Sequence, residues 1–227
     1  MSTVSYLITT HNETTTLGKL LYAIGVNKHQ DDEIVILDDF SNNPETQRLL
    51  KEFDSPVQGY HIYQHALSKD YGSHKNAGIE KCSKNYIFQL DGDEMPPDSL
   101  LGENLHALID SNPSIEAYAV PRINAWEGLT TENAKQWGWP LDMSPTYNRV
   151  RAAWPDFQWR IFKRDYPRIS FHRRLHEKIE GYNSYAGLPA EEEWALYHDK
   201  TIEKQIETNL RYNKLFSEDD NRGHKAI

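Results

Sequence analysis

Residues 85–97 read NYIFQLDGDEMPP, an apolar run that passes directly into three carboxylates. Alternation along a strand places Asp91 and Asp93 on the same side, and Gly92 permits a close turn between them. Two hard oxygen ligands at a strand end suit Mg²⁺ or Mn²⁺, which keep water and share coordination with substrate phosphates. An acidic turn after a buried strand explains the motif equally well when it is taken alone.

The first hundred residues alternate between short apolar runs and helical patterns, which is typical of βα units and a mostly parallel sheet. In open parallel sheets, ligands bind beyond the carboxyl ends of the strands. Polar clusters (TTHNE, DDFS and DGDE) follow three of the four predicted strands, so we predict one shared site there. The predicted strands are residues 4–10, 33–38, 59–64 and 85–91, and the predicted helices are residues 14–26, 44–53 and 71–82.

The second half of the chain has a less regular pattern. Residues 126–159 hold five of the six tryptophans among glycines and prolines, with little periodicity, and this composition predicts a long functional loop. We expect one α/β domain over residues 1–227. The other predicted elements are helices at 99–111 and 201–216 and strands at 115–123, 157–163, 170–180 and 194–198.

The composition excludes several classes of protein. Hydrophobic residues make up 38% and charged residues 26%, as in a folded chain, and the apolar runs are far shorter than the roughly 18 residues of a membrane span. The N-terminus lacks the features of a secretory signal, and a single Cys82 excludes an intramolecular disulfide and a multi-cysteine zinc site. We therefore expect a cytoplasmic protein without a transmembrane segment.

The charge distribution is uneven. The formal net charge of -9 argues against a protein that coats nucleic acid, because such binding depends on Lys and Arg. Residues 149–178 nevertheless contain nine basic against three acidic residues, a local excess of +6. This excess of basic residues predicts that the segment meets an anionic ligand or partner.

The stretches YLITTHNE, IVILDDFS and SHKNAGIEKCSKNYIFQLDGDE together resemble the nucleotide-sugar-dependent glycosyltransferases of the GT-A fold, particularly inverting family 2. The resemblance covers residues 4–100. It implies a Rossmann-like, mostly parallel sheet flanked by helices, with a small second sheet region. Residues 1–100 would bind the nucleotide sugar, and residues 101–227 would bind the acceptor and end in a helix. The residues that the resemblance assigns to the donor nucleotide are Thr9, His11, Glu13 and Asp39.

The same resemblance assigns the phosphate and metal side of the site. Lys75 and Asn76 open a Lys-Asn-Ala-Gly segment where the family has Arg-Asn-x-Gly, and lysine keeps the charge but loses the planar fork. Asp91 would contact the ribose or the metal, and Asp93 would bind the Mn²⁺ or Mg²⁺ that bridges the donor diphosphate. His198, after the apolar run WALY, is a further candidate ligand or a hydrogen-bonded strand-end histidine.

The second-half motif WRIFKRDYPRISFHRRLHEKIEG resembles, more loosely, the lipopolysaccharide core glucosyltransferases. This similarity implies that Glu177 is the general base for the acceptor hydroxyl, with Asp156 as the second candidate. Arg160 and His176 would line the donor or the acceptor. Inverting transfer needs one carboxylate placed opposite the departing diphosphate. The other interpretation of Glu177 is an ion pair with a neighbouring arginine, Arg173 or Arg174.

Trp137 and Trp139, beside Gly138, are predicted to lie on the acceptor side, because aromatic faces pack on the apolar faces of sugars. Trp126 and Trp159 fall on predicted strands or at their ends, where burial in the core explains them equally well. A carbohydrate-binding surface is therefore expected around Gly138.

The leading hypothesis is a metal-dependent inverting glycosyltransferase that uses a nucleotide diphosphate sugar, preferably a UDP-sugar, and a glycan or lipid-linked sugar as acceptor. A modified base in DNA is the alternative acceptor, which the +6 segment would suit. Two other classes remain open. A nucleotidyltransferase would normally carry a Gly-rich basic loop where TTHNETTT stands, and a non-catalytic module would bind the nucleotide sugar without transfer.

Overall fold

The computed structural model describes residues 1–144 and 150–217. The first half forms the predicted parallel sheet, with strands in the order β3-β2-β1-β4. Almost every residue of β1, β2 and β4 is buried, which explains their continuous apolar runs. The bounds are β1 (Val4–Thr10), β2 (Glu33–Asp38), β3 (Tyr60–Gln64) and β4 (Tyr86–Asp91), within one residue of the prediction.

Three helices connect these strands: α1 (Thr15–Asn27), α2 (Pro44–Phe53) and α3 (Tyr71–Lys81). The chain runs outward from β1 to β3 and then returns to place β4 on the other side of β1. Thr9 of β1 pairs with Asp91 of β4 in the register of these two strands. A parallel sheet opens a crevice where its strand order reverses, and ligands bind at the carboxyl ends there. The fold therefore directs the Asp91 end of β4 into a binding crevice.

The second half extends the sheet with mixed pairing. The two long strands β8 (Val150–Lys163) and β6 (Ala117–Glu127) continue the sheet from β4 with antiparallel pairing, and β12 (Leu196–Thr201) then pairs in parallel with β6. Among residues 1–144 and 150–217, no helix has both the length and the apolar character that crossing a membrane requires. The bounds are β5 (Glu94–Met95), α4 (Gly102–Ser111), β6 (Ala117–Glu127), α5 (Thr131–Trp137), β7 (Leu141–Met143), β8 (Val150–Lys163), β9 (Ser170–His172), β10 (Lys178–Glu180), β11 (Tyr185–Gly187), β12 (Leu196–Thr201) and α6 (Ile202–Leu215).

The prediction of a long loop over residues 126–159 is wrong. This segment contains α5 and β7, and β8 begins at Val150, before the predicted strand start at residue 157. Local signals for α5 were present in the sequence: the Thr130 and Asn133 side chains form a capping box at its start, and Gly138 (φ 68°) ends it. Helix α5 is short and Ala134 is its only buried residue, so the tryptophan-rich sequence shows no apolar helical periodicity there. Residues 145–149 lie outside the described residues.

The single strand predicted over residues 170–180 is also wrong. Two short antiparallel strands, β9 and β10, form a separate small sheet, so a second sheet region is present as expected. Arg173 (φ 78°) and His176 (φ 54°) adopt left-handed backbone conformations in the turn between the two strands. We refer to residues 170–180 as the Glu177 hairpin, because Glu177 directly precedes β10.

The Glu177 hairpin is fixed to the start of α3 by backbone contacts. The Tyr71 amide donates to the Arg174 carbonyl at 2.9 Å. The Asn76 side chain donates to the Phe171 carbonyl and accepts from the Phe171 amide, both at 2.8 Å. A Cβ atom added to Gly72 would lie 2.5 Å from the Arg173 carbonyl oxygen. Only glycine at position 72 allows this close approach.

We expect Gly72→Ala to lower the free energy of unfolding by about 1–3 kcal/mol, the usual cost of an added methyl group that forces a backbone shift. The matched control is Gly18→Ala in α1, where the added Cβ would meet only the Leu49 side chain, at 3.6 Å. The control should be neutral or slightly stabilising, since alanine favours a helix. Thermal unfolding followed by circular dichroism measures both, and equal effects would contradict the close approach.

Candidate active site

A buried ion cluster occupies the carboxyl end of β4. Asp91 Oδ1 lies 3.0 Å from Lys75 Nζ, and Asp91 Oδ2 lies 2.8 Å from Arg160 Nη2. The Thr9 hydroxyl donates to Asp91 Oδ1 at 2.9 Å. Burial acts to raise the pKa of Asp91, yet the charges of Lys75 and Arg160 outweigh it and hold that pKa well below its usual range. Asp91 is therefore a carboxylate that faces cations.

Lys75 also binds Glu177, whose Oε1 lies 2.6 Å from Lys75 Nζ. The ion-pair partner of Glu177 is thus a lysine of α3, and the predicted alternative of a neighbouring arginine is wrong. Lys75 is 3% exposed, whereas the Glu177 side chain is 16% exposed. Burial acts to lower the pKa of Lys75, but Asp91 and Glu177 raise it overall. Lys75 therefore holds Glu177 at the edge of the crevice while leaving it reachable.

A second layer of charges lies behind Asp91. The buried Glu94 accepts from Arg160 and from Arg122 Nη1, and Arg122 in turn binds Asp156 Oδ2 at 2.7 Å. Burial acts to raise the pKa of Asp156, but Arg122 and the other donors lower it overall. A carboxylate held by several donors is a poor proton acceptor, so Asp156 is less basic than an ordinary carboxylate.

Asp93 faces two groups from β12. Its Oδ2 lies 3.5 Å from His198 Nε2 and 3.1 Å from Lys200 Nζ. Burial acts to raise the pKa of Asp93, but His198 and Lys200 lower it. Burial lowers the pKa of His198, which favours its neutral ring, the form that binds metals.

The predicted metal ligands are only partly brought together. Within the described ranges, no three His, Cys, Asp or Glu side chains converge to hold an ion, because Asp91 turns toward Lys75 and Arg160. Asp93 and His198 remain as a facing pair. A carboxylate oxygen and an imidazole nitrogen fit Mn²⁺, and also Mg²⁺ if water and phosphate oxygens complete the shell.

The predicted nucleotide residues lie at the ends of β1 and β2. Glu13 accepts from the Thr10 hydroxyl at 2.7 Å and from the His11 amide at 2.6 Å. His11 Nδ1 lies 2.7 Å from the Asp39 carbonyl oxygen, and Asp39 Oδ1 accepts from the Leu67 amide. A cavity of about 720 Å³ adjoins these loops, lined by residues that include Phe40, His65, Leu67 and Arg174.

The predicted residues Asn76 and His176 belong to the attachment of the Glu177 hairpin. Both polar atoms of the Asn76 amide bind the Phe171 backbone, so this side chain attaches the hairpin to α3, and its contact with the donor stays a prediction. His176 lies in the turn directly before Glu177. Arg160 is 4% exposed and binds Asp91, Glu94 and Gln89, which places it beneath the crevice.

Three tryptophans form a cluster beside the Asp93–His198 pair. The rings of Trp126 and Trp139 stack with centroids 4.5 Å apart, and Trp137 lies 4.7 Å from Trp139. The edge contact between Trp126 and His198, at 6.5 Å, connects the cluster to the ion site. Among the described residues, the buried Trp137 Nε1 has no hydrogen-bond partner.

The basic segment 149–178 does not present a continuous basic surface. Five of its cations bind groups of the protein itself, and Arg149 lies outside the described residues. Carboxylates offset the charge of three of them, Arg151, Arg160 and Arg168, which lowers the excess that could meet DNA phosphates. The five are Arg151 with Asp142 and Glu192, Arg160 in the ion cluster, Lys163 with the Pro113 carbonyl, Arg164 with the Lys84 carbonyl, and Arg168 with Glu116 and Asp165.

Four site residues were missed by sequence reasoning: Glu94, Arg122, Asn124 and Lys200. Glu94 stood inside the DGDE motif, and its place next to Asp91 was a usable signal. Arg122 lies opposite Asp156 in the register of β6 with β8, and Asn124, two residues farther along β6, also binds Asp156, so both contacts depend on the pairing of these two strands. No local pattern marks these two side chains.

The comparisons with known proteins agree with this geometry. The model of the family described as glycosyl transferase family 2 matches residues 5–169, nearly three quarters of the chain. The chain belongs to this family. The match favours a glycosyltransferase over the nucleotidyltransferase alternative.

Solved structures confirm the GT-A fold of the family 2 chain. TarS of S. aureus, residues 1–349 in complex with UDP-GlcNAc, has a TM-score of 0.59 and 14% identity over 88% of this chain and 59% of that one. GalNAc-T7 with UDP, GalNAc and Mn²⁺ has a TM-score of 0.53 and 13% identity over 88% of this chain and 44% of that one. The chain thus spans less than two thirds of either. Curated proteins give no match, and the expected similarity to lipopolysaccharide core glucosyltransferases receives no support.

We expect Lys75→Met to lower the free energy of unfolding at pH 7 by about 1–3 kcal/mol, because it leaves the partly buried carboxylates of Asp91 and Glu177 without this cation, while Arg160 still binds Asp91. The low pKa of Asp91 means that its ion pair stabilises the wild type above about pH 4 and is lost as the pH falls further. In the variant, Arg160 still lies beside Asp91 but Lys75 no longer does, so the pKa of Asp91 should rise and the stability difference from the wild type should shrink as the pH falls from 7 toward 4.

Urea unfolding between pH 7 and pH 4 measures this difference. The exposed Lys19→Met in α1 is the control and should change stability by less than about 0.5 kcal/mol. A loss in Lys75→Met that is independent of pH would contradict the assigned ion pair.

Proposed function

We propose that this family 2 chain is a metal-dependent inverting glycosyltransferase that moves a sugar from a UDP-sugar to a hydroxyl of a glycan or lipid-linked sugar. The observation that carries the proposal is one connected network. Lys75 joins Glu177 to Asp91, and salt bridges continue through Arg160, Glu94 and Arg122 behind the Asp93–His198 pair. A candidate base and a candidate cation site thus share one crevice.

A nucleotide diphosphate as donor is supported by the loops after β1 and β2. His11 and Asp39 lie together beside the cavity that Phe40 and Arg174 line. The structures of TarS and GalNAc-T7 contain UDP-GlcNAc and UDP, respectively. We therefore place the nucleoside at these loops and the diphosphate toward Asp93.

The charge balance of the network supports a divalent cation. Its four cations, Lys75, Arg122, Arg160 and Lys200, already face the carboxylates of Asp91, Asp93, Glu94, Asp156 and Glu177. An arriving diphosphate therefore needs additional positive charge. Held by Asp93 and His198, Mn²⁺ or Mg²⁺ would stabilise the negative charge that develops on the leaving diphosphate.

Glu177 is the group we assign to the proton of the acceptor hydroxyl. Lys75 holds one of its oxygens, and the partial exposure of the side chain lets a hydroxyl approach. The attachment of the Glu177 hairpin to α3 fixes this carboxylate relative to Asp91. A general base of this kind removes the proton as the new bond to the sugar forms.

A sugar acceptor is favoured by the tryptophan cluster. Trp137 and Trp139 are partly exposed and offer aromatic surface on which the apolar face of a sugar can pack. The DNA alternative loses part of its support, because carboxylates within the fold offset three cations of residues 149–178. Action in the cytoplasm remains a prediction.

We expect one nucleotide, UDP, to raise the melting temperature in the presence of Mn²⁺. A ligand at 100 times its Kd adds about 2.7 kcal/mol, or about 5 to 11 °C for a chain of this size. Differential scanning fluorimetry with UDP, GDP, CDP and dTDP, with and without Mn²⁺, makes the measurement. Asp93→Asn should lose the metal-dependent shift, whereas the control Asp31→Asn, exposed and far along the chain, should keep it. A metal-independent shift would argue against the cation.

We expect Glu177→Gln to keep Mn²⁺-dependent UDP binding and to lose transfer by about 10²- to 10⁴-fold, as removal of a general base does. Glu180→Gln, exposed on the same hairpin, is the matched control and should remain active. Transfer of the sugar from radiolabelled UDP-sugar to glycan acceptors gives the rates. Full activity of Glu177→Gln removes this residue from the mechanism, and UDP binding without transfer by the wild type would indicate a binding module.

A further inference from the structure

Asp156 is surrounded by hydrogen-bond donors. Its Oδ2 accepts from Arg122 Nε at 3.0 Å, Arg122 Nη2 at 2.7 Å and Asn124 Nδ2 at 2.8 Å, and its Oδ1 accepts from Gln158 Nε2 at 2.7 Å. An ionised carboxylate can only accept hydrogen bonds. The amide nitrogen of Asn124 must therefore point toward Asp156, and its oxygen must point away.

The orientation of Asn124 fixes the hydrogen on His198. Asn124 Oδ1 lies 2.8 Å from His198 Nδ1, and because a carbonyl oxygen only accepts, Nδ1 must carry the hydrogen. The other nitrogen of a neutral ring then has a free lone pair. Asn124 and His198 are 4% and 7% exposed, so water has little access to replace either contact.

The free lone pair of His198 Nε2 faces another acceptor. Asp93 Oδ2 lies 3.5 Å away, longer than a direct hydrogen bond of good geometry. With the hydrogen on Nε2 instead, His198 would donate to Asp93, and both groups would be closed to a cation. In the inferred tautomer, the Nε2 lone pair and Asp93 Oδ2 are two acceptors that face the same space, and Lys200 Nζ lies 3.1 Å from Asp93 Oδ2.

We propose that Asp156, acting through Asn124, holds His198 in the tautomer whose Nε2 lone pair faces Asp93, and thereby sets the divalent-cation affinity of the pair. Asp156 and Asn124 are then positioning residues, as outer partners of ligating histidines commonly are. The inference about cation affinity rests on the proposed function, whereas the tautomer does not.

The tautomer is measured on metal-free protein labelled with ¹⁵N-histidine, at pH 8, from long-range ¹H–¹⁵N correlations. The His198 signals are identified by their absence in His198→Gln. The wild type should show a protonated Nδ1 and a bare Nε2. Asn124→Leu, of similar size but without an acceptor, should move the hydrogen to Nε2, where Asp93 accepts it. The control Gln158→Leu removes a different hydrogen bond to Asp156 and should keep the wild-type tautomer.

Mn²⁺ affinity, measured by calorimetry on the same proteins, is the second readout. We expect about 10- to 100-fold weaker binding in Asn124→Leu and unchanged binding in Gln158→Leu. A hydrogen on Nε2 in the wild type, or an unchanged tautomer in Asn124→Leu, overturns the proposal. If Asn124→Leu does not fold, the wild-type spectrum alone still decides which ring nitrogen of His198 carries the hydrogen. Absence of Mn²⁺ binding by the wild type overturns metal dependence itself, and because the tautomer is read without metal, the two failures are distinguishable.

Discussion

The buried ammonium group of Lys75 joins the two halves of the chain. It lies 3.0 Å from Asp91, at the end of a first-half strand, and 2.6 Å from Glu177, in a second-half hairpin. Burying a lysine is costly, and its carboxylate partners offset that cost only if both are held at the correct distance. The close approach at Gly72 supplies this fixation. The candidate base is therefore positioned by the packing that keeps Lys75 charged.

From Lys75 the charges alternate in sign across the sheet. Arg160 binds Asp91 and Glu94, and Arg122 binds Glu94 and Asp156, so each buried ion faces a partner of opposite sign. In a medium of low dielectric constant, such a network is strong when complete and costly when broken. It holds polar groups in fixed orientations before a substrate arrives, which is the arrangement that stabilises a developing charge most effectively.

Local patterns were reliable where one element fixes one conformation. The strands of residues 4–10, 33–38 and 85–91 are buried on both faces, so their apolar runs identified them. The prediction of one long strand over residues 170–180 failed because the turn depends on contacts with α3 and on left-handed residues that carry no glycine signal. The tryptophan-rich segment was mistaken for a loop because its large aromatic side chains do not follow the helical periodicity of α5 or a regular strand alternation in β8.

The sequence by itself determined the parallel half of the sheet, the polar clusters at its strand ends and the family 2 resemblance, because these depend on neighbouring residues. It also pointed to Asp93, His198 and Glu177 as candidates. Only the tertiary structure decided which groups they face. Glu177 meets Lys75 across 102 positions of sequence, and Asn124 meets His198 across 74. The first pair forms because the Glu177 hairpin packs on α3, and the second because β6 and β12 become neighbours in the sheet. Neither the packing nor the register is encoded in a local pattern.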